Sequence, residues 1–307
     1  MKQSPENTPS PVRVGLAFAT VYLVWGSTYF FIQVAVRDFP PMILGASRFL
    51  TAGSLLLGWC FIRGEKMLTR SQLITAVLTG LMLLLVANGA VITAEQWLPS
   101  SLVAVLVSTV PFWLVVLDAG RWKSNLRNLP VLLGLLFGFV GVILMFGEKV
   151  LAAVTKASFG HEMVGLLILM IGTMSWAGGS LYSKYRSSGS ALMNSAWQML
   201  AAGIAFLAGS VALSEWGSFR WTSIPVSSWL SVSYLILFGS VLAFSAYVWL
   251  LRVRPPSQVS TYAYVNPVVA VLLGVFLAGE PMSLIQLCGL VVILGSVMLV
   301  NMAKNKA

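Results

Sequence analysis

Charged residues are scarce in this sequence: Asp, Glu, Lys and Arg make up 9% of its 307 positions, against roughly 25% in a soluble domain. So few ionisable side chains cannot cover a water-exposed surface, and lipid must solvate much of the chain. Histidine occurs once, at His161, which removes the material for a membrane metalloprotease or a Ser–His pair. The two cysteines, Cys60 and Cys288, lie inside apolar runs, where the thiol behaves as a small hydrophobe. Neither a disulfide framework nor a metal site is expected. No Walker-type lysine loop is present for ATP-driven pumping. Gly45-Ala-Ser-Arg-Phe49 lacks the closing glycine of a nucleophile elbow. The chain is therefore read as having no catalytic residues, no cofactor and no enzymatic activity.

What is present is apolar. Hydrophobic residues make up 58% of the chain, and the mean hydropathy is +0.89. The net charge of +10 could suggest nucleic acid, but the basic residues fall in ones, twos and threes between apolar runs. That pattern marks loops flanking membrane spans, so the expected partner is a lipid bilayer. A span needs about 20 apolar residues, and candidates fall at 12–36, 41–62, 72–94, 101–119, 130–147, 163–184, 191–213, 228–251, 258–279 and 283–302. Ala17 and Ala19 resemble a signal-cleavage site, but the apolar run continues past them, and the first helix is read as retained. With the N-terminus in the cytoplasm, the cytoplasmic segments hold 14 Lys and Arg residues and the external ones 4, namely Arg37, Lys149, Lys156 and Arg220. The positive-inside rule then places both termini in the cytoplasm.

The two halves repeat each other. Pro41 to Gly53 aligns with Ala191 to Gly203 at an offset of 150, Trp25 pairs with Trp176 at 151, and Ser101 to Pro111 aligns with Ser257 to Pro267 at 156. Five spans per repeat is an odd number, so the second copy enters from the opposite face. The expected fold is all-α, with ten transmembrane helices as two inverted-topology five-helix repeats. Such repeats are a recurring transporter design, with the solute site near the midplane at the repeat interface.

The residues that could carry function follow from that geometry. Arg48 is the one charge well inside a span, and an intramembrane charge marks function by default. Two readings stand: it faces the interior, where it binds a substrate carboxylate or pairs with Glu95 when the site is empty, or it snorkels to the outer surface as an anchor. Glu95 is also the best-placed group for proton coupling, with uncoupled transport as the alternative. Trp25, Thr28, Tyr29, Asn88, Ser108, Trp176, Tyr182, Tyr247, Tyr262 and Asn266 are candidate cavity residues, as are Ser27, Thr109, Ser175, Ser240 and Tyr264. Aromatic walls with a few polar groups suit a solute of amino-acid size, although interhelical packing explains any single Ser or Thr equally well. Pro111 and Pro267 enter their spans to similar depth and are candidate hinges. Gly134, Gly138 and Gly141 on span 5, with Gly289 and Gly295 on span 10, permit close helix contact, either within the chain or in a homodimer.

Trp25-Gly-Ser-Thr-Tyr-Phe, Pro40-Pro-Met, Arg48-Phe-Leu-Thr-Ala-Gly53, Ala94-Glu95, Tyr262-Ala-Tyr-Val-Asn-Pro267 and Gly279-Glu280 together resemble the EamA-type branch of the drug/metabolite transporter superfamily over nearly the whole chain. The resemblance implies a ten-helix, two-repeat fold serving export of amino acids or related metabolites in bacteria. The domains are then a polar tail at 1–11, a first EamA-like repeat at 12–147, an external linker at 148–162, a second repeat at 163–302 and a cytoplasmic tail at 303–307. The expected function is secondary transport of a small-molecule substrate across the bacterial inner membrane. A drug or nucleotide-precursor carrier, a channel and a sensor are the alternatives.

Overall fold

The computed structural model describes residues 10–98, 100–122, 128–156, 160–217, 219–278 and 283–302, and all regular structure in them is helical. Helix α1 (Pro11–Ala35) starts on a proline whose fixed φ suits a first turn, and the Ser10 side chain accepts from Arg13 N. Helix α2 (Pro41–Ile62) also starts on proline. Its first N–H groups are met by Glu215, whose Oε1 accepts from Met42 N at 3.2 Å and whose Oε2 accepts from Ile43 N at 3.0 Å. A carboxylate there also suits the positive end of the helix dipole. Helix α3 (Arg70–Ala94) opens on a reciprocal Thr69–Gln72 cap and turns π-helical over Leu81–Asn88. The remaining helices are α4 (Ser100–Val107), α5 (Val110–Leu117), α6 (Leu129–Lys156), α7 (His161–Arg186), α8 (Ala191–Ala212), α9 (Val226–Val253, π-helical over Leu235–Phe244), α10 (Pro256–Val259), α11 (Tyr262–Ala278) and α12 (Leu284–Met302).

Among the described residues, α1, α2, α3, α7, α8 and α9 are long and apolar enough to cross a membrane. Shorter apolar helices cover Leu102–Leu117, Leu129–Leu144 and Leu284–Val300. Even the 22-residue α2 reaches about 33 Å, enough for a hydrocarbon core of about 30 Å. Leu16, Leu23, Phe30, Leu167, Ile171 and Ile204 are exposed, as lipid-facing side chains are. The chain is an all-α, multi-span membrane protein.

Three spans depart from their expected course. The stretch read as one span at 101–119 is divided into α4 and α5. Pro111 lacks an N–H and its ring crowds the carbonyl of Val107, four residues back. The Ser108 and Thr109 hydroxyls instead donate to Val105 O at 2.6 Å and Leu106 O at 2.7 Å. Pro267, by contrast, sits inside α11 without ending it; the break on that segment falls earlier, between Val259 and Tyr262. Helix α6 runs to Lys156, so most of the segment expected to be a linker is helical. No glycine or proline lies between Glu148 and Lys156 to stop it.

Helix α2 packs on α8, and α6 packs on α12. A Cβ at Gly53 would stand 2.9 Å from Leu200 N, and one at Gly203 would stand 2.7 Å from Leu50 N. Each glycine thus lets the partner backbone approach, and the two contacts mirror one another. Gly134, Gly138 and Gly141 face Val300, Ser296 and Ile293 of α12. That glycine face of α6 is filled within the chain, whereas a Cβ at Gly295 of α12 would meet nothing within 4 Å. Helix α1 lies against α9 and α11, and α7 lies against α3 and α5.

The two ends of the bundle differ. At one, Lys184 Nζ donates to the Arg252 and Arg254 carbonyls at 3.3 and 3.0 Å, Arg252 donates to Gly189 O, and Tyr185 OH donates to Asp118 at 3.0 Å. At the other, Ser228 donates to Asp38 at 2.5 Å, and Phe39, Phe219, Trp221 and Trp229 pack ring on ring. These are called the basic end and the tryptophan end below.

Candidate functional site

Between the ends, α1, α2, α3, α4, α5, α7 and α11 enclose a cavity of about 70 Å³. It is lined by Trp25, Thr28, Tyr29, Arg48, Asn88, Trp176, Tyr262 and Asn266 among the expected residues, and also by Ile32, Ala87, Val91, Val107, Val110, Leu169, Gly172 and Thr173. That volume holds a few waters, so a solute of amino-acid size needs the walls to move.

Trp25, Trp176, Tyr247 and Tyr262 form an aromatic box in which every ring touches the other three, with centroids 4.9 to 6.5 Å apart. The polar edges are fixed by the protein. Trp25 Nε1 donates to Gly239 O at 3.1 Å, Trp176 Nε1 donates to Tyr247 OH at 3.0 Å, and that hydroxyl is 2.6 Å from Ser180 Oγ. Buried aromatic N–H and O–H groups need such partners, and having them locks the rings in place. Tyr247 itself lies beneath the cavity wall, on the side of the basic end.

Arg48 is the eighth residue of α2, about 10 Å from its start, and is 4% exposed. It does not snorkel. Its Nε donates to Ser240 Oγ at 2.9 Å and its Nη1 to Asn88 Oδ1 at 3.3 Å. Both partners sit in π-helical stretches, Asn88 closing the one in α3 and Ser240 lying within the one in α9. The wider π turn is a frequent feature of functional sites. Gly239 makes room for the guanidinium, because a Cβ there would lie 3.1 Å from Arg48 Nη2 and 3.2 Å from Thr28 Cγ2.

The expected pairing of Arg48 with Glu95 is not made. Both Glu95 carboxylate oxygens are buried and have no hydrogen-bond partner among the described residues, because Ser240 and Asn88 lie closer to the guanidinium. Several other expectations fall outside the cavity. Tyr182 lines a separate surface recess with Asp118, Tyr185 and Arg186; six residues beyond Trp176, it is turned about 240° around α7. Tyr264 donates to Leu135 O at 3.1 Å and belongs to the contact with α6. Ser108 is buried on Val105 O. Ser27 bonds Val24 O and the Tyr234 hydroxyl, and Ser175 bonds Met82 O. Gly239, Gly172 and Thr173 were not singled out by sequence. A glycine or threonine in an apolar run has no mark of its own, and only the position of Arg48 relative to α9 reveals Gly239.

The comparison with known proteins decides the family. A sequence model described as the EamA-like transporter family matches residues 13–147 and again residues 163–302. The chain belongs to the EamA-like transporter family. Among its relatives, the uncharacterised inner membrane transporter YedA of Escherichia coli K12 is 39% identical over 292 residues, covering 94% of this chain and 90% of YedA. The uncharacterised transporter YvbV of Bacillus subtilis is 26% identical over 313 residues, covering 100% of this chain and 95% of YvbV. A solved crystal structure superposes with a TM-score of 0.74 at 20% identity, covering 94% of this chain and 96% of the other, and shares the fold. This EamA-like protein is a multi-span secondary transporter of small organic solutes in the bacterial inner membrane, and not an enzyme. Its cavity is therefore the place to look for the solute.

Proposed function

We propose that this EamA-like transporter exports amino acids or similar metabolites by alternating access, with the solute held in the cavity between two inverted five-span halves at 12–147 and 163–302. The single observation that carries the reading is a buried Arg48 whose guanidinium stands in an aromatic-walled cavity. Its fork suits bidentate bonding to a carboxylate. Support for two matching halves comes from the mirrored Gly53–Leu200 and Gly203–Leu50 contacts. The π-helical stretches add to it: they begin at Leu81 and Leu235, in the third and eighth spans of the sequence reading. Opposed similar halves can exchange conformations at little cost, giving inward-open and outward-open states.

The aromatic box and the Lys184, Arg252 and Tyr185 bonds all lie on one side of the cavity. By the positive-inside rule that side is cytoplasmic, so this conformation is the one closed to the cytoplasm. Pro111, at the break between α4 and α5, is the place where that wall can bend, and Pro267 offers a second such point in α11. A nucleotide-type solute is disfavoured, since Arg48 is the one cation among the cavity residues.

Counterflow in proteoliposomes tests the reading. Liposomes preloaded with each unlabelled amino acid should accumulate the labelled form transiently and saturably, and repeating the assay with and without a pH gradient reports coupling. Ion currents in planar bilayers without counterflow would make the protein a channel. Movement of drugs but of no amino acid or related metabolite would overturn the substrate class.

A further inference from the structure

We infer that the cavity recognises a net-neutral zwitterion, with Arg48 taking the carboxylate and Glu95, helped by Asn266, taking the ammonium. The inference rests on the amino-acid reading above and extends it by assigning the amine pole. Glu95 follows Ala94 at the end of α3 and is 4% exposed. Neither of its oxygens has a hydrogen-bond partner among the described residues. Residues three and four apart share a helix face, so Asn88, Val91 and Glu95 lie along one side of α3. Asn88 and Val91 line the cavity, which puts Glu95 one turn beyond Val91, adjoining the lining residues without being one of them. Asn266, 1% exposed and also in the lining, has an unpartnered Oδ1 among the described residues.

Three buried acceptor oxygens thus lack donors among the described residues, two on Glu95 and one on Asn266. Arg48 has the reverse character. A guanidinium carries five N–H donors, and Arg48 uses one on Ser240 and one on Asn88, which leaves three. Buried polar groups are ordinarily bonded, and groups of opposite charge in one enclosure would ordinarily bond each other. Here Arg48 bonds Ser240 and Asn88, and the Glu95 oxygens are left without a partner among the described residues. A solute with a carboxylate and an ammonium on one small frame satisfies both poles together. A carboxylate without an amine leaves Glu95 uncompensated, and an amine without a carboxylate leaves Arg48 so. In the same lining, Trp25, Trp176, Val107, Val110 and Leu169 offer an apolar bed for the rest of the solute.

The test is a competition series on the reconstituted transporter. Each standard labelled L-amino acid is assayed for counterflow, and the best one is then competed with its own N-acetyl derivative and its own decarboxylated amine. In the wild type both derivatives should compete on the order of 100-fold more weakly than the parent, the usual penalty for stranding a buried charge. In Glu95→Gln, the N-acetyl derivative should come within about 3-fold of the parent while the decarboxylated amine stays rejected. If wild type accepts the N-acetyl derivative as well as the parent, the ammonium pole is wrong while amino-acid transport stands. Unchanged discrimination in Glu95→Gln would overturn the role of that residue. Counterflow of no amino acid at all would overturn both readings. The wild-type series needs no variant, so it decides the question even where Glu95→Gln folds poorly.

Discussion

Arg48→Leu reconstituted at wild-type density should lose amino-acid counterflow by on the order of 100-fold or more, because the bond to the substrate carboxylate is made by a buried guanidinium. The protein should nevertheless reach the membrane and remain monodisperse in detergent. Leucine fills much of the space of the arginine stem, and Arg48 makes no bond to Glu95 for the exchange to break. What is left behind is modest: Ser240 and Asn88 lose one donor each. Arg48→Lys should fall between wild type and Arg48→Leu. A lysine keeps the charge, but its point-like ammonium cannot span Ser240, Asn88 and a carboxylate as the planar fork does. Full transport by Arg48→Leu at normal expression would remove this residue from the solute site.

Gly203→Leu should have the largest effect on stability. The α2 backbone at Leu50 lies where the new side chain would begin, and backbone cannot step aside as a flexible side chain can. Overpacking of this kind costs about 1–3 kcal/mol, read as a lowered thermal midpoint in detergent. Because Gly53 meets Leu200 in the mirrored way, Gly53→Leu should lower the midpoint by a similar amount. The double variant should fall short of the sum, since both changes separate the same two helices. An unshifted midpoint for either single variant would show that the close approach of α2 and α8 contributes nothing.

How much of this was legible in the sequence depends on what lipid does to a pattern. Span lengths and charge distribution are visible because hydrocarbon excludes Lys and Arg almost completely. Depth is visible too. Counting residues from a span end places Trp25 and Trp176 near the midplane and Arg48 well inside its span, and all three line the cavity. Rotation about the helix axis is much less legible. A membrane helix is apolar toward lipid and toward its neighbours alike, so periodicity does not mark the inner face. Tyr182 and Tyr264 have suitable depth and the wrong rotation, and were misplaced for that reason. The π-helical stretches leave no trace in residue type, since they are a shift of hydrogen-bond register. Yet they supply Asn88 and Ser240 to Arg48. The break at Val107 could be anticipated from Pro111, whereas the continuity of α11 through Pro267 depends on neighbouring helices that no local rule contains.

The most direct test of the central claim, one solute cavity reached alternately from either side, is thiol accessibility at Thr173. This residue lines the cavity and is buried, and cysteine is close to it in size. With Cys60 and Cys288 both replaced by alanine, Thr173→Cys is treated with a membrane-impermeant thiol reagent in right-side-out and inside-out vesicles. Labelling from both faces, slowed from both by the transported amino acid, is the expected result. Labelling from one face only, or labelling indifferent to the amino acid, would contradict a single alternating site at this cavity.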